Sequence, residues 1–389
     1  MTMRDRLFLL FIAALACLPS LAEAPLGTSA QALLEEAAKA KKVAGMSAAI
    51  WKDGAIAWEG AVGFADVENQ VPATPAMVHR IASISKPISA VAAMQLVEQG
   101  KLKLDEPIQT YVPTFPKKPE GDILIWHLLS HTSGIRHYKG SESVAMDYFA
   151  DSLSAMKGFQ DDAIGFAPGT KYNYTTYGYT VLGAAIEAAS ASKLGDYLQK
   201  NVWTPAGMTS TRLELHGVIV PHRSRGYALN PKGELENARY TDNSVRYAGG
   251  GMISTAGDLV RFAAAVQDGT LLKRETFERM IQPVTLADGT VSRYALGWTV
   301  DTWDVLGRIM SHSGGQSGTS THLLSSLDRG VSVALISNTR GDTGLNEVGV
   351  LLANIALGTT PPPDLKIDPE KTLSDRMKEE QQKKAGRKP

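Results

Sequence analysis

The sequence predicts an α+β fold, in which an antiparallel β-sheet is flanked by helices and carries an inserted, mostly helical lobe. Runs with strand character stand near both ends of the chain, and helical spacing dominates the middle, at about 83–245. The unit at about 28–360 is continuous and has no internal repeat. Strands at both ends with helices between them favour terminal segments that share one sheet.

The composition is that of a globular protein. The chain has 389 residues, of which 43% are hydrophobic and 21% are charged, and its formal net charge is +0. These proportions exclude a chain that is disordered throughout. The balanced charge provides no broad basic surface, so we expect no nucleic-acid partner.

The N-terminus has the form of a secretory signal. The basic start MTMRDR precedes the apolar stretch LFLLFIAALACL and the small residues of PSLAEA. The apolar stretch is shorter than the about 20 residues that span a bilayer. We therefore expect a signal peptide at 1–22, cleaved after Ala22, and a periplasmic or extracellular protein without stable membrane insertion. Lipidation at Cys17 is the alternative, disfavoured because Ala14 stands where leucine is usual.

The single cysteine and the C-terminal segment lead to two further predictions. Cleavage after Ala22 removes Cys17, the only cysteine, and with it any disulfide, thiol nucleophile or thiolate metal site. Residues 361–389 combine few large apolar residues with dense mixed charge, which predicts a disordered tail.

Secondary structure follows from local patterns. Two short apolar runs around KDG predict a hairpin. Residues 84–99 carry apolar side chains at helical spacing and end at Gly100, and TVLGAAIEAAS predicts a second helix. Later runs predict strands: RYALGWTV, GRIMSH, STHLLSSL and VSVALISNT.

The stretch RIASISKP at 80–87 places a serine and a lysine at the start of a helix. Proline lacks an N–H and is tolerated in the first helical turn, so Pro87 puts the helix start at Ser83 to Ser85. Lys86 then lies over the same face as Ser83, and Ser85 points elsewhere. A nucleophilic serine needs a base and a donor for the oxyanion, and this stretch offers candidates for both.

The S-x-x-K pattern alone is weak. It recurs at Ser154 to Lys157 and at Ser190 to Lys193. The Ser83 copy differs because a proline marks the first turn of its helix and the helix that follows is apolar.

Five segments together resemble the serine β-lactamase and penicillin-binding protein superfamily, in particular its class C-like branch with esterases, D-aminopeptidases and lactamase-like proteases. They are RIASISKPISA, HLLSHTSGI, PGTKYNYTTYGYTVLG, GGGMISTAGDLVRF and SHSGGQSGTSTHLLSSLDRGVSVALISN. Their order and spacing cover about 35–340, and five motifs in order are far more specific than one. The resemblance implies the β-lactamase/transpeptidase-like fold.

Catalytic roles are carried over from the resemblance. It implies Ser83 as the acylated nucleophile, Lys86 as its activating partner and Tyr174 as a second proton carrier. For that role the phenol would need a lowered pKa, which the Lys86 ammonium would supply. The backbone N–H groups of Ser83 and Gly315 would form the oxyanion hole.

Substrate-binding positions depart from the family pattern. Thr176 stands where asparagine is usual, so the amide that holds a substrate's acylamide is missing. The third motif, usually K-T-G or H-x-G, is here His312, Ser313 and Gly314, and a histidine is mostly uncharged above pH 7. Both departures disfavour β-lactam recognition.

Two other chemistries are disfavoured. His127 and His131 have a spacing that can bind zinc, and His137 is nearby, but there is no H-E-x-x-H, and HLLSHTSGI matches a turn of the family. An α/β-hydrolase would need a G-x-S-x-G, which the chain lacks. We expect no metal and no cofactor.

The sequence therefore predicts an exported serine hydrolase that forms an acyl-enzyme on Ser83 and acts on esters or on amide or peptide bonds of small substrates. Two alternatives remain open. One is a true β-lactamase or D,D-peptidase, and the other is a penicillin-binding or sensing protein without turnover.

Overall fold

The chain folds around a seven-stranded sheet. The structure, a computed structural model, describes residues 25–341, 343–361, 365 and 367. Its strands are β1 Gly45–Lys52, β2 Ala55–Asp66, β3 Val71–Pro72, β4 His79–Arg80, β5 Arg212–Leu213, β6 Tyr227–Leu229, β7 Leu235–Asn237, β8 Met252–Ser254, β9 Val284–Thr285, β10 Val291–Ser292, β11 Thr299–Trp303, β12 Gly307–Gln316, β13 Thr319–Ser326, β14 Val331–Ser337 and β15 Thr339–Arg340.

The main sheet has the order β11-β12-β13-β14-β1-β2-β3, and every neighbouring pair in it is antiparallel. Strands from the two ends of the chain meet where β1 pairs with β14. This confirms the predicted α+β class and the shared terminal sheet.

Helices cover both faces of the sheet and fill the middle of the chain. They are α1 Leu26–Ala40, α2 Ser85–Glu98, α3 Ile125–Leu129, α4 Ser152–Met156, α5 Thr176–Ser190, α6 Leu194–Leu198, α7 Tyr247–Gly250, α8 Ala256–Gln267, α9 Arg274–Met280 and α10 Leu345–Leu357. Helices α1 and α10 pack together on one face, and α8 packs against β1 and β14 on the other. The interior strands β13 and β14 are therefore buried along their whole length.

Local sequence signals placed several elements correctly. Asp53 and Gly54 both have positive φ (53° and 79°), the geometry of a type I′ turn, and they join β1 to β2 as KDG predicted. Helix α2 ends at Glu98, and Gly100 adopts a φ of 68° just beyond it. TVLGAAIEAAS lies within α5.

The segment RYALGWTV does not form one strand, so that prediction is wrong for its first part. Strand β11 begins only at Thr299. Before it, Gly297 has a φ of 95°, and the N–H of Ala295 donates to the carbonyl of Trp298 at 2.8 Å. A left-handed glycine breaks an extended run, so these residues form a tight turn that carries Tyr294 toward β12.

The predicted signal peptide, Cys17 and nearly all of the predicted tail lie outside the described residues. Within the described ranges, no helix combines the length and the apolar character needed to cross a membrane.

Two parts of the fold meet at the predicted site. Strand β4 pairs with β8 and leads into a 3-10 turn at Ala82–Ile84, after which α2 begins. On the other side, β11 pairs with β12 only as far as Ser311. Residues 312–316 therefore present a free backbone edge next to the 3-10 turn.

Candidate active site

Ser83 lies in the 3-10 turn immediately before α2, at the position that Pro87 predicted. The preceding residue, Ala82, has a φ of 48°, a left-handed conformation that costs a non-glycine residue on the order of 1–3 kcal/mol. Ser83 itself is half-buried. The hydroxyl of Ser85 accepts the backbone N–H of Met252 at 3.3 Å, so Ser85 points away from the site as expected.

Lys86 is enclosed and reaches three oxygen atoms. The residue is 0% exposed. Its Nζ lies 3.1 Å from Ser83 Oγ and 3.2 Å from Thr176 Oγ1, and it donates to the carbonyl of Gly249 at 2.6 Å. The structure thus brings the predicted serine and lysine within hydrogen-bond distance.

The surroundings of Lys86 favour a neutral amine. Burial, together with the positive charge of Arg246, holds the pKa of Lys86 well below its ordinary value. Arg246 is itself buried, and it forms no ion pair with any described residue. Its Nη2 donates to the carbonyl of Ser143 at 2.8 Å, and its guanidinium lies 4.7 Å over the Tyr138 ring.

Tyr174 stands beside the pair, but its pKa moves in the direction opposite to the expectation. Lys86 Nζ lies 4.7 Å from the centre of the Tyr174 ring. Burial raises the pKa of Tyr174, and a hydrogen bond with Ser83 offsets only part of this effect. From the sequence, a lysine ammonium is expected to lower the pKa of the phenol. Lys86 is desolvated as well, which favours its neutral form, and a neutral amine has little effect on that pKa.

Thr176 has a different contact from the one its family position suggested. Its hydroxyl lies against Lys86 Nζ, and its side chain is buried at the first turn of α5. Its backbone N–H donates to His137 Nδ1 at 3.1 Å. Thr176 therefore helps to hold Lys86 in place, and its role as a substrate-binding residue stays a prediction.

The free edge of β12 lies directly against the nucleophile. A Cβ placed on Gly314 would stand 3.0 Å from Ser83 N and 2.7 Å from the carbonyl oxygen of Ile81. Only glycine allows this approach of strand and turn. Gly315 is the next residue of β12, and its backbone N–H as the second oxyanion donor stays a prediction.

His312 and Ser313 point to opposite faces of β12, as neighbours on a strand do. His312 Nδ1 donates to the carbonyl of Ser313 at 2.7 Å, so Nε2 accepts from the hydroxyl of Tyr294 at 2.9 Å. The Ser313 hydroxyl donates to Asn346 Oδ1 at 2.9 Å on the far face. The Ser313 side chain therefore leaves the site, which corrects its prediction as a substrate-binding group.

Burial lowers the pKa of His312 to about 3. The imidazole is therefore neutral at physiological pH. Its ring centre is 6.4 Å from that of Tyr174, so the start of the free edge lies near Tyr174.

The remaining histidines of the region support the backbone. The N–H of Leu124 donates to His127 Nδ1 at 3.0 Å, and the N–H of Thr175 donates to His131 Nδ1 at 3.2 Å. Burial lowers the pKa of His127 and of His137 to about 4. Across the part of the chain that the structure describes, no group of three or more His, Cys, Asp or Glu residues could hold a metal ion.

Sequence reasoning missed three residues of this site: Arg246, Gly249 and Tyr294. Arg246 stands alone among uncharged residues in NSVRYAGGGM, a weak signal of a buried cation. Gly249 contributes only its carbonyl, which no side-chain pattern reveals. Tyr294 was read as part of a strand.

Comparisons with known proteins identify the family of this chain. The sequence model of the beta-lactamase family matches residues 30–356. The human serine beta-lactamase-like protein LACTB, mitochondrial, is 32% identical over 77% of this chain and 74% of its own length. Esterase EstB from Burkholderia gladioli is 28% identical over 64% of this chain and 72% of its own length. The crystal structure of D-amino acid amidase from Ochrobactrum anthropi SV3 superimposes with a TM-score of 0.75 at 24% identity, over 86% of this chain and 99% of that one.

The fold, the serine–lysine pair and these relatives define a serine hydrolase of the β-lactamase and penicillin-binding protein class. The chain belongs to the beta-lactamase family, whose sequence model spans nearly all of the described residues.

Proposed function

We propose that the protein forms an acyl-enzyme at Ser83 and hydrolyses esters or amide bonds of small substrates. The observation that carries this proposal is the 3.1 Å separation between Ser83 Oγ and the Nζ of a fully buried lysine. The name of one relative, an esterase, supports the same class of reaction.

Acylation uses Lys86 as a neutral base. A neutral amine has two N–H groups, for Gly249 and Thr176, and one lone pair left for the Ser83 proton. As Ser83 Oγ attacks the carbonyl carbon, its proton passes to Lys86 Nζ. The backbone N–H groups of Ser83 and Gly315 stabilise the negative charge that develops on the carbonyl oxygen.

Leaving-group departure uses Tyr174 as an acid. The raised pKa of Tyr174 keeps the phenol protonated, so it donates a proton to the departing oxygen or nitrogen and regains one from the Lys86 ammonium. The bond to the leaving group breaks, and the acyl group stays on Ser83. Water then attacks the acyl-enzyme, gives its proton to the same pair, and releases the acid.

The site favours this reading over a true β-lactamase. His312 is neutral, so it provides no positive charge on β12 to bind a carboxylate on the leaving-group side of the substrate. Thr176 is bonded to Lys86 and provides no amide for an acylamide group.

The test is covalent labelling combined with turnover. A fluorophosphonate should label the wild-type protein at Ser83, and Ser83→Ala should abolish both labelling and hydrolysis of a neutral 4-methylumbelliferyl ester. Ser154→Ala is the matched control, since Ser154 belongs to another copy of the same pattern and its hydroxyl donates to the carbonyl of Asp151; it should leave both unchanged.

Two results would contradict the proposal. Label that maps to another serine would remove Ser83 as the nucleophile. Labelling of Ser83 without turnover of any ester, amide or cephalosporin would favour the sensing alternative, and cephalosporin hydrolysis faster than ester hydrolysis would favour the β-lactamase.

A further inference from the structure

An arginine-rich cavity opens at the end of the strand that carries Gly315. It has a volume of about 570 Å³. One wall is Ser317, which directly follows β12, and the other walls include Arg80, Arg223, Arg225 and Arg239. No sequence motif pointed to this cavity, because its lining comes from distant segments.

The positive charge in this cavity exceeds what its own carboxylate neutralises. Among the described residues that line it, Glu214 is the one acidic residue. Arg80 Nε contacts the Glu214 carboxylate at 2.8 Å, and Arg223 Nη2 contacts the same group. Asn243 donates to Glu214 as well. One carboxylate is thus shared by two guanidinium groups, which leaves one surplus positive charge.

Arg223 and Arg239 are the groups available to a ligand. Arg223 uses only Nη2 for its bond to Glu214, and Nε and Nη1 bond to no described residue. The exposed guanidinium of Arg239 has no hydrogen bond or ion pair with any described residue; only its carbonyl is bonded, by Ser317 Oγ. The guanidinium of Arg80 instead donates hydrogen bonds to Glu214, Thr241 and Ser317, so Arg80 forms part of the cavity wall.

Two other ionisable side chains of the cavity wall have partners outside it. Arg225 is held by Asp66 and Glu68, and His216 is held by Asp242 at 2.8 Å. None of these three acids lines the cavity. His79 adds no charge, because burial lowers its pKa to about 4.

The position of Tyr174 indicates on which side of Ser83 the leaving group and the acyl group of the substrate lie. A proton donor to the leaving group must lie on the leaving-group side of Ser83, and Tyr174 stands near His312. The acyl part then extends the other way along the free edge, past Gly315 and Gln316. That path ends at Ser317, in the wall of the arginine-rich cavity.

We propose that this cavity binds a carboxylate on the acyl side of the substrate, through Arg223 and Arg239, so that the preferred acyl donors are monoesters or monoamides of dicarboxylic acids or acyl groups with an acidic side chain. Arginine suits this task because its planar group forms paired hydrogen bonds with a carboxylate. The inference rests on the proposed acyl-enzyme function and adds the substrate class.

The test compares esters that differ only in this carboxylate. Succinate, glutarate and adipate monoesters of 4-methylumbelliferone are measured against the butyrate, pentanoate and hexanoate esters of the same alcohol. For at least one chain length, we expect kcat/KM of the wild type to favour the anionic ester by roughly tenfold or more, the factor that one charge-assisted hydrogen bond supplies. The preference should shrink as salt is added, because the arginines are partly exposed.

The variants are Arg239→Gln, Arg223→Gln and their combination. The ratio of kcat/KM for the anionic and neutral esters should fall in each single variant and approach one in the double variant. Arg239→Gln removes no hydrogen bond or ion pair within the described residues, so it should keep the wild-type melting temperature even if loss of the Glu214 contact destabilises Arg223→Gln. Arg308→Gln, a surface arginine paired with Asp328, is the control and should leave the ratio unchanged.

Equal kcat/KM for all three ester pairs in the wild type, or a preference that survives in the double variant, would overturn the cavity's role. Failure of the proposed function looks different: no ester of either series is turned over, and the fluorophosphonate does not label Ser83.

Discussion

Lys86 is the residue whose chemistry depends most on its surroundings. A lysine in water is protonated at neutral pH and cannot accept the proton of a serine. Here burial removes the water that would stabilise the ammonium, and Arg246 adds electrostatic repulsion, so the pKa of Lys86 falls. In the proposed reaction, Arg246 is therefore a positioning residue, which acts through Lys86 and need not touch the substrate.

Replacing Arg246 should shift the pH dependence of the reaction. The base must be neutral, so the acidic limb of the profile of kcat/KM follows the pKa of Lys86. Arg246→Gln removes a repulsive charge, raises that pKa and moves the limb to higher pH. Activity should fall at neutral pH and recover partly in alkaline buffer. The measurement is the pH profile with a neutral ester.

Arg246→Lys separates this electrostatic role from a packing role. The lysine keeps the charge, so the limb should stay close to its wild-type position even if the overall rate drops. A limb that stays in place in Arg246→Gln would remove Arg246 as a cause of the lowered pKa of Lys86.

At the scale of elements, we expect activity to depend on how closely β12 approaches the 3-10 turn before α2. The turn presents Ser83, and the strand lies against it with Gly314 at the contact. A hydrogen-bond donor must be placed to within a fraction of an ångström to stabilise an oxyanion, so a small separation of the two elements has a large cost.

Gly314→Ala should therefore impair catalysis more than folding. The added methyl would lie 2.3 Å from Thr321 Oγ1 and 2.7 Å from the carbonyl oxygen of Ile81. Strand and turn must separate, and we expect kcat/KM to fall by roughly 100-fold. The measurement is ester hydrolysis together with thermal unfolding.

Gly158→Ala is the matched control, because a Cβ at Gly158 meets nothing within 4 Å. It should retain wild-type activity. If Gly314→Ala retained full activity as well, the proposed oxyanion hole between turn and strand would be wrong.

At the scale of the whole molecule, folding buries several histidines in their neutral form. Burial lowers the pKa of His79 and of His322 to about 4, and that of His312 to about 3. In the unfolded chain each would titrate near 6.5. Between these values the unfolded state binds more protons than the native state, so the free energy of unfolding falls as the pH drops.

We expect the protein to lose stability steeply from about pH 6.5 down to about pH 4, by on the order of 2–3 kcal/mol for each fully buried histidine. The measurement is urea unfolding at several pH values. His322→Gln, which cannot titrate, should flatten the slope in this window by up to one proton. His222→Gln, at an exposed histidine, should flatten it less. A wild-type stability that does not change over the window would refute this account.

The sequence by itself determined the fold class, the register of α2 and the pairing of Ser83 with Lys86, whereas Tyr174 was added only by the resemblance to a known family. These depend on short-range rules: a proline marks the first turn of a helix, a spacing of three puts two side chains on one face, and the order of motifs supplies the rest. Such rules involve residues that are close together in the sequence, so they need no tertiary contact.

Only the tertiary structure decided the protonation states, the direction of Ser313 and the arginine-rich cavity. Lys86 contacts Thr176 and Gly249, which lie 90 and 163 positions away, and the cavity gathers residues from 79 to 317. A pKa depends on how much water and charge surround a group, and those surroundings exist only after distant segments pack together. That is why a lowered pKa was assigned to Tyr174 from sequence, whereas in the folded molecule it belongs to Lys86.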